Sequence, residues 1–233
     1  MTESVRFPGS MGDEVSAQLA LPALARASAP AVVLVHGAER CEGAEGAGAR
    51  KSGLLERCVE SGFVVLAPDL TARRGSEAGV AFADRPATAD LDAAAAFLAA
   101  RDDVDDEQIA IIGLGAGGTL AFLSGCHSRR IAAVVALGGE IRYADLSGDR
   151  PVQPLEMALN LSSPYLGIFA EGDPQAPAED VDALERTLDQ FAKSAEIRRV
   201  PGPGSEASAG DHWPGVYAFL AESLGLCGDE ERD

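Results

Sequence analysis

Short apolar runs recur along the chain and alternate with amphipathic segments. A strand covered on both faces has no polar side, so such runs predict buried strands. Strands are predicted over residues 31–35, 63–67, 109–112, 131–137, 165–169 and 195–200. Helices are predicted over residues 49–61, 87–100, 119–125, 178–193 and 214–224. This alternation predicts an α/β fold with a mainly parallel central sheet and helices on both faces.

The N-terminal residues show a different pattern. Residues 5–7 and 15–21 flank the glycine-containing turn 9–13, which predicts an antiparallel hairpin at a sheet edge. Residues 140–163 are irregular, and we expect them to form a short cap or pocket wall. With no repeat and no linker, the 233 residues predict a single domain over 1–233.

Charge narrows the range of partners. The chain carries 37 acidic and 19 basic residues, a formal net charge of −18, which argues against nucleic acids and anionic membranes as partners. No apolar stretch approaches the roughly 18 residues that span a bilayer. The N-terminus does not resemble a signal peptide, so we expect a cytoplasmic protein.

The four cysteines are scattered and form no C-x-x-C pair. This spacing argues against a disulfide scaffold and against a zinc site. We therefore predict no metal site and expect no cofactor.

Residues 108–120 carry the most informative motif. A predicted strand runs into the glycine-rich turn GLGAGG and then into a helix. Strand, tight turn and helix form the nucleophile elbow G-x-[SC]-x-G, in which Ser or Cys attacks the substrate. Here the central position is Gly115, which has no side chain.

Two other interpretations of these glycines remain. Gly113, Gly115 and Gly118 also fit the dinucleotide-binding pattern G-x-G-x-x-G. That pattern normally lies in the first βαβ unit with an acidic residue about 20 positions later, whereas here it is in mid-chain. The glycines could also serve only the close packing of strand and helix.

Four segments in order carry a resemblance to a known family. They are VVLVHG at 32–37, GFVVLAPDL at 62–70, GLGAGG at 113–118, and FAEGDP at 169–174 with the helix that follows. Over nearly its whole length, the chain resembles the dienelactone hydrolase family of α/β-hydrolases. The resemblance implies the α/β-hydrolase fold.

It also implies a triad of nucleophile, acid and base, all of which the covalent mechanism needs. Asp173 matches the acid, Gly115 stands at the nucleophile position, and Ser205 stands at the base position. Two of the three positions are therefore vacant. His212 lies seven residues beyond Ser205 and could return to the site through a loop insertion, or it could merely start the last helix.

Neither nearby cysteine is a convincing substitute nucleophile. Cys126 lies at the far end of the elbow helix, and Cys41, in the loop after the first parallel strand, has no visible basic partner.

The family's oxyanion hole does not depend on the missing side chains. Backbone N–H groups at Ala116 and around Ala38 match it. Gly37 replaces an acidic residue of the family, and Glu39 is near enough to substitute. Arg73 matches a position that binds the substrate carboxylate, or it is an exposed charge on a loop.

These residues leave two main function classes. One is a non-hydrolytic enzyme of lyase, isomerase or cyclase type that holds an enolate or carboxylate in the oxyanion hole. The other is a pseudoenzyme that binds a small acidic ligand or a partner protein. Residual hydrolysis through His212 ranks third. We expect a small-molecule ligand with a carboxylate or carbonyl; the oligomeric state is not predicted.

Overall fold

The computed structural model describes residues 2–23, 28–36, 53–73, 83–202 and 212–226. Within these residues one eight-stranded sheet forms, with the strand order β1-β2-β4-β3-β5-β6-β7-β8. The strands are β1 Thr2–Pro8, β2 Glu14–Ala20, β3 Ala29–Val35, β4 Val64–Pro68, β5 Val104–Leu114, β6 Ala133–Leu137, β7 Tyr165–Ala170 and β8 Ala195–Val200.

β2 alone runs in the opposite direction to the other seven described strands of the sheet. β1 and β2 form an antiparallel hairpin, and β2 lies antiparallel to β4. Every other neighbouring pair, from β4–β3 to β7–β8, is parallel. The predicted edge hairpin and the mainly parallel sheet are therefore confirmed.

Helices cover both faces of the sheet. In the described residues they are α1 Leu54–Glu60, α2 Asp84–Ala99, α3 Ala116–His127, α4 Pro154–Met157, α5 Ala178–Gln190 and α6 Trp213–Ser223. Leu91, Leu120 and Leu184 of α2, α3 and α5 belong to one buried cluster, whereas α1 and α6 pack on the opposite face. The described helices include none with the length and apolarity that crossing a bilayer requires.

Several element boundaries differ from those predicted. α2 begins at Asp84 rather than 87, because Pro86 lies in the first helical turn, where its missing N–H costs nothing. β5 begins at Val104, in an acidic stretch, because that residue pairs with Ala29. α5 ends at Gln190 rather than 193, since Ala192 takes a positive φ of 49° and turns the chain toward β8.

The elbow helix α3 begins at Ala116 rather than 119 and packs against the ends of two strands. A Cβ on Gly117 would lie 2.5 Å from the carbonyl oxygen of Val35, which ends β3. A Cβ on Gly118 would lie 2.3 Å from the carbonyl oxygen of Gly138, directly after β6. Both contacts involve backbone, so only glycine permits this approach.

Gly118→Ala should therefore destabilise the fold, although alanine is the better helix former by about 1 kcal/mol. We expect a net loss of about 1–3 kcal/mol, because helix or strand must move to relieve the contact. Gly148→Ala is the matched control, since a Cβ there meets nothing within 4 Å. Denaturant midpoints measure both variants, and equal midpoints for the two would contradict the packing argument.

Candidate functional site

The turn between β5 and α3 has the geometry of a nucleophile elbow. Gly115 takes φ 53° and ψ −123°, a region that residues with a Cβ enter only at a cost. Its N–H donates to the Leu137 carbonyl at 2.9 Å, and its own carbonyl accepts the Gly118 N–H at 2.7 Å. The sharp turn is present, and no side chain projects from its central residue.

Several polar residues lie along the same edge of the sheet as Gly115. Parallel strands place their carboxyl ends together, so the residues after β3, β5, β6 and β7 line one edge. They include His36, Gly115, Glu140 and Asp173. The predicted Gly37, Ala38, Glu39 and Ser205 lie outside the described residues, as does Cys41.

Ala116 is the first residue of α3, so its N–H has no acceptor within the helix. The N-terminus of a helix carries a partial positive charge that favours anions. A carbonyl oxygen or carboxylate placed here would meet a donor and a positive potential together. Its participation in an oxyanion hole stays a prediction.

Asp173 lies in the loop between β7 and α5 and is half-buried. Its N–H donates to the Ala170 carbonyl at 3.2 Å, and its Oδ1 accepts the Gln175 N–H at 2.9 Å. These bonds shape the loop and fix the carboxylate at the edge of the sheet. Its role as the triad acid stays a prediction.

His212 directly precedes α6. Its carbonyl accepts the N–H groups of Gly215 and Val216, at 3.1 and 3.0 Å. The residue therefore starts the last helix, as one of the two interpretations predicted. Entry of its ring into the site stays a prediction.

His36 is a residue that sequence reasoning did not single out. Its Nε2 is buried and has no hydrogen-bond partner among the described residues, and burial lowers the pKa of the imidazole to about 4. The ring is therefore neutral at neutral pH. It sits beside the elbow helix, because a Cβ on Gly117 would come within 2.9 Å of the His36 carbonyl carbon.

Arg73 is buried at 7% exposure, so the alternative of an exposed loop charge is wrong. Its Nε donates to Asp90 Oδ2 at 2.5 Å and its Nη2 donates to Asp13 Oδ1 at 2.6 Å. These hydrogen bonds raise the pKa of the guanidinium further above its usual range. Two carboxylates of the chain thus neutralise Arg73, and a substrate carboxylate would have to compete with them. Binding at Arg73 stays a prediction.

A polar network beside the elbow was not predicted either. Glu140 Oε2 pairs with Arg150 Nη1 at 3.0 Å, and the Arg150 guanidinium lies 4.2 Å from the centre of the Tyr143 ring. The Tyr143 hydroxyl contacts both carboxylate oxygens of Asp84, at 3.0 and 3.2 Å. Burial raises the pKa of the Asp84 carboxyl to about 6. The available signal was the position of Glu140, which follows a predicted strand after two glycines.

Residues 140–155 form one wall of a narrow crevice, in keeping with the expected pocket wall. The space left inside it is about 10 Å³, roughly enough for one water molecule. Aromatic and aliphatic side chains line it, among them Phe122, Leu155 and Phe169, and Glu140 is the one carboxylate among its described lining residues. Within the described ranges, no three His, Cys, Asp or Glu side chains converge as a metal site requires.

Comparison with known proteins identifies the family to which this chain is similar. The sequence profile of the dienelactone hydrolase family matches residues 15–204. An Escherichia coli (strain K12) protein, provisionally named a carboxymethylenebutenolidase, is 29% identical over 227 residues, which cover 91% of this chain and 80% of that protein. A Bradyrhizobium sp. protein, provisionally named a 2-oxo-3-(5-oxofuran-2-ylidene)propanoate lactonase, is 25% identical and covers 91% and 86%.

A solved structure shows the same fold as this chain. A Klebsiella pneumoniae protein, provisionally described as a dienelactone hydrolase, superposes with a TM-score of 0.82 at 25% sequence identity. The match covers 95% of this chain and 98% of that chain. The α/β-hydrolase fold predicted from the sequence is confirmed.

Arg73→Ala should destabilise the protein strongly, because Asp90 is 0% exposed and would lose its cation. We expect a loss of about 3–5 kcal/mol, the usual cost of breaking a buried ion pair. Arg6→Ala is the control, since the Arg6–Glu14 pair is exposed and such pairs contribute about 1 kcal/mol at most. Urea unfolding at pH 7 compares the variants. Similar losses would show that the burial of the pair has no energetic weight.

Asp84→Asn should change how stability depends on pH. The folded pKa is raised to about 6 from about 4 in the unfolded chain, so the native state binds the extra proton between these values. The stability from this group is complete below pH 4 and declines as pH rises through 6. The asparagine variant should match wild type near pH 4 and exceed it by about 1–3 kcal/mol at pH 7.

Unfolding curves at pH 4, 5, 6 and 7 measure this difference. Asp145→Asn, at an exposed position two residues after Tyr143, controls for the loss of one carboxylate. A difference that stays constant from pH 4 to 7 would be inconsistent with the raised pKa.

Proposed function

The chain belongs to the dienelactone hydrolase family, and from this premise we propose that it is a non-hydrolytic member, an enzyme of the lyase, isomerase or cyclase type. The ligand is a small molecule with a carboxylate or carbonyl, bound as a carboxylate or an enolate at the N-terminus of α3. The reaction proceeds without a covalent intermediate.

One observation carries this proposal: Gly115 keeps the backbone conformation of the elbow but has no nucleophilic atom. A covalent step needs an oxygen or sulfur at that position. Stabilisation of a developing negative charge needs only backbone donors in fixed positions. The elbow at Gly115 is therefore suited to stabilising a negative charge but not to a covalent step.

The compound named for one relative fits such a site. The name of the Bradyrhizobium protein specifies an oxo-substituted propanoate, which has a carboxylate and an adjacent carbonyl. A ligand of this class could form an enolate whose oxygen is stabilised by the Ala116 N–H. The rigid turn supports this role, because Gly115 is fixed by hydrogen bonds through both its N–H and its carbonyl.

The second candidate function is a pseudoenzyme that binds a small acidic ligand or a partner protein without chemistry. The narrowness of the crevice favours it, since apolar side chains such as Phe122 and Phe169 occupy much of its wall. Hydrolysis through His212 ranks third, because a base without a nucleophile at Gly115 could activate only a water molecule.

Ala116→Pro tests the proposed anion site. Proline is tolerated at the first position of a helix, and it removes the N–H in question. The φ and ψ of Gly115 are the mirror image of the extended conformation that precedes proline, and glycine accepts mirror conformations. We expect oxalate and pyruvate to raise the melting temperature of wild type and of Ala116→Ser.

In Ala116→Pro, binding should weaken by roughly 1.5–3 kcal/mol, a Kd increase of about 10- to 150-fold. Calorimetric titration gives the Kd values. Equal affinity in wild type and Ala116→Pro would show that the anion does not bind at the Ala116 N–H. Labelling of the elbow peptide by a fluorophosphonate would show that the site has a nucleophile and would favour covalent hydrolysis. Binding of 2-oxo acids without turnover of any of them would favour the pseudoenzyme.

A further inference from the structure

We propose that Glu140 is the catalytic base of this site, which removes a proton from the carbon next to a carbonyl held at the elbow. This inference rests on the proposed function and narrows it to proton abstraction with an enolate intermediate. The substrate class is a 2-oxo acid or a related carbonyl compound with an acidic C–H bond.

The backbone places Glu140 next to the elbow. β6 lies beside β5 in the sheet, and Glu140 follows β6 after two glycines. A Cβ on Gly139 would lie 2.8 Å from the Gly115 carbonyl oxygen and 2.7 Å from the Thr119 nitrogen. The Thr119 hydroxyl donates to the Glu140 carbonyl at 3.1 Å. Glu140 is thus held against the first turn of the same helix that binds the anion.

The carboxylate of Glu140 is fixed on one side only. Its Oε2 pairs with Arg150, while its Oε1 has no hydrogen-bond partner in the described part of the chain. The Glu140 side chain is 25% exposed and lines the crevice. One oxygen therefore orients the group, and the other can accept a proton from a ligand.

Three residues position the Glu140 carboxylate. Arg150 lies over the Tyr143 ring, and the Tyr143 hydroxyl is held by the buried carboxylate of Asp84. The Asp84 N–H donates to the carbonyl of Asp149, the neighbour of Arg150, at 2.8 Å. Arg150, Tyr143 and Asp84 are positioning residues of the kind that hold a functional group in one geometry.

Asp173, at the same edge of the sheet, is the less firmly oriented of the two carboxylates. Within the described ranges its carboxylate receives one hydrogen bond, from the Gln175 N–H two residues away in its own loop. A carboxylate held only by its own loop is less firmly oriented than one connected through Arg150 to α2. The supporting network therefore favours Glu140 over Asp173 as the base.

The proposed step balances without any further reactant. Oε1 of Glu140 takes the proton from the α-carbon, and the electron pair of that C–H bond forms the carbon–carbon double bond of the enolate. The carbonyl π electrons move to oxygen, where the Ala116 N–H and the helix N-terminus stabilise the charge. Glu140 then returns the proton to carbon, which restores the carboxylate. A carboxylate base beside an oxyanion site is a sufficient combination for this chemistry.

Deuterium exchange tests the step directly. Wild-type protein is incubated with pyruvate, 2-oxobutyrate or acetoacetate in D₂O, and loss of the α-proton signal is followed by NMR. We expect catalysed exchange by wild type and a decrease of about 100-fold or more in Glu140→Gln. Glu140→Asp should retain part of the activity, because it keeps the carboxylate on a shorter side chain.

Glu156→Gln is the matched control, because Glu156 is an exposed carboxylate in the same segment that does not line the crevice. Its exchange rate should equal that of wild type. Arg150→Met should lower the rate constant of exchange and leave the Kd of oxalate nearly unchanged, since the Glu140 carboxylate loses the cation that orients it while the helix N-terminus is intact. A merely structural role of the Glu140–Arg150 pair would change the melting temperature without changing this rate constant.

The outcomes separate this inference from the proposed function. Oxalate binding that persists in Glu140→Gln, together with loss of exchange, supports both. Exchange that is unchanged in Glu140→Gln overturns Glu140 as the base. Wild type that binds oxalate but exchanges none of the three compounds overturns the base and leaves the anion site intact. Wild type that binds none of these compounds overturns the proposed function itself.

Discussion

The close approach of helix α3 to the carboxyl edge of the sheet determines the rest of the site. Gly117 and Gly118 let the backbone of the first helical turn touch the ends of β3 and β6, and Gly115 turns the chain between them. Each side chain at this edge is placed relative to that turn. The hydrophobic clusters on the two faces of the sheet hold the strands whose ends form the contact. Packing and potential chemistry therefore depend on the same few glycines.

Much of the fold could be predicted because apolar periodicity is a local property. The strand from Val64 to Pro68 and the hairpin of β1 and β2 follow from residues within a few positions of one another. The tight turn at the elbow was equally local, since the glycine-rich motif itself indicates it. Boundaries were less certain where a partner far along the chain decided them, as Ala29 does for Val104.

The site was predicted less completely for the same reason. Asp173 and Ala116 lie at the strand and helix ends that the motifs indicated. The partners of Arg73 are 17 and 60 residues away, and no pattern in the sequence links them. The network from Glu140 to Asp84 likewise joins α2 to a segment after β6. Gly37, Ala38, Glu39 and Ser205 stay predictions, because they lie outside the described residues.

The neutrality of His36 has a consequence for anions at this edge. With its pKa near 4, the ring adds no positive charge under ordinary conditions, and Arg73 is already paired with two carboxylates. Among the described groups, the attraction that the proposed anion site could exert then comes from peptide dipoles, which carry no titrating proton. The part of the affinity that these dipoles supply does not change with pH. Its strength depends on the tilt of a helix rather than on the acidity of the medium.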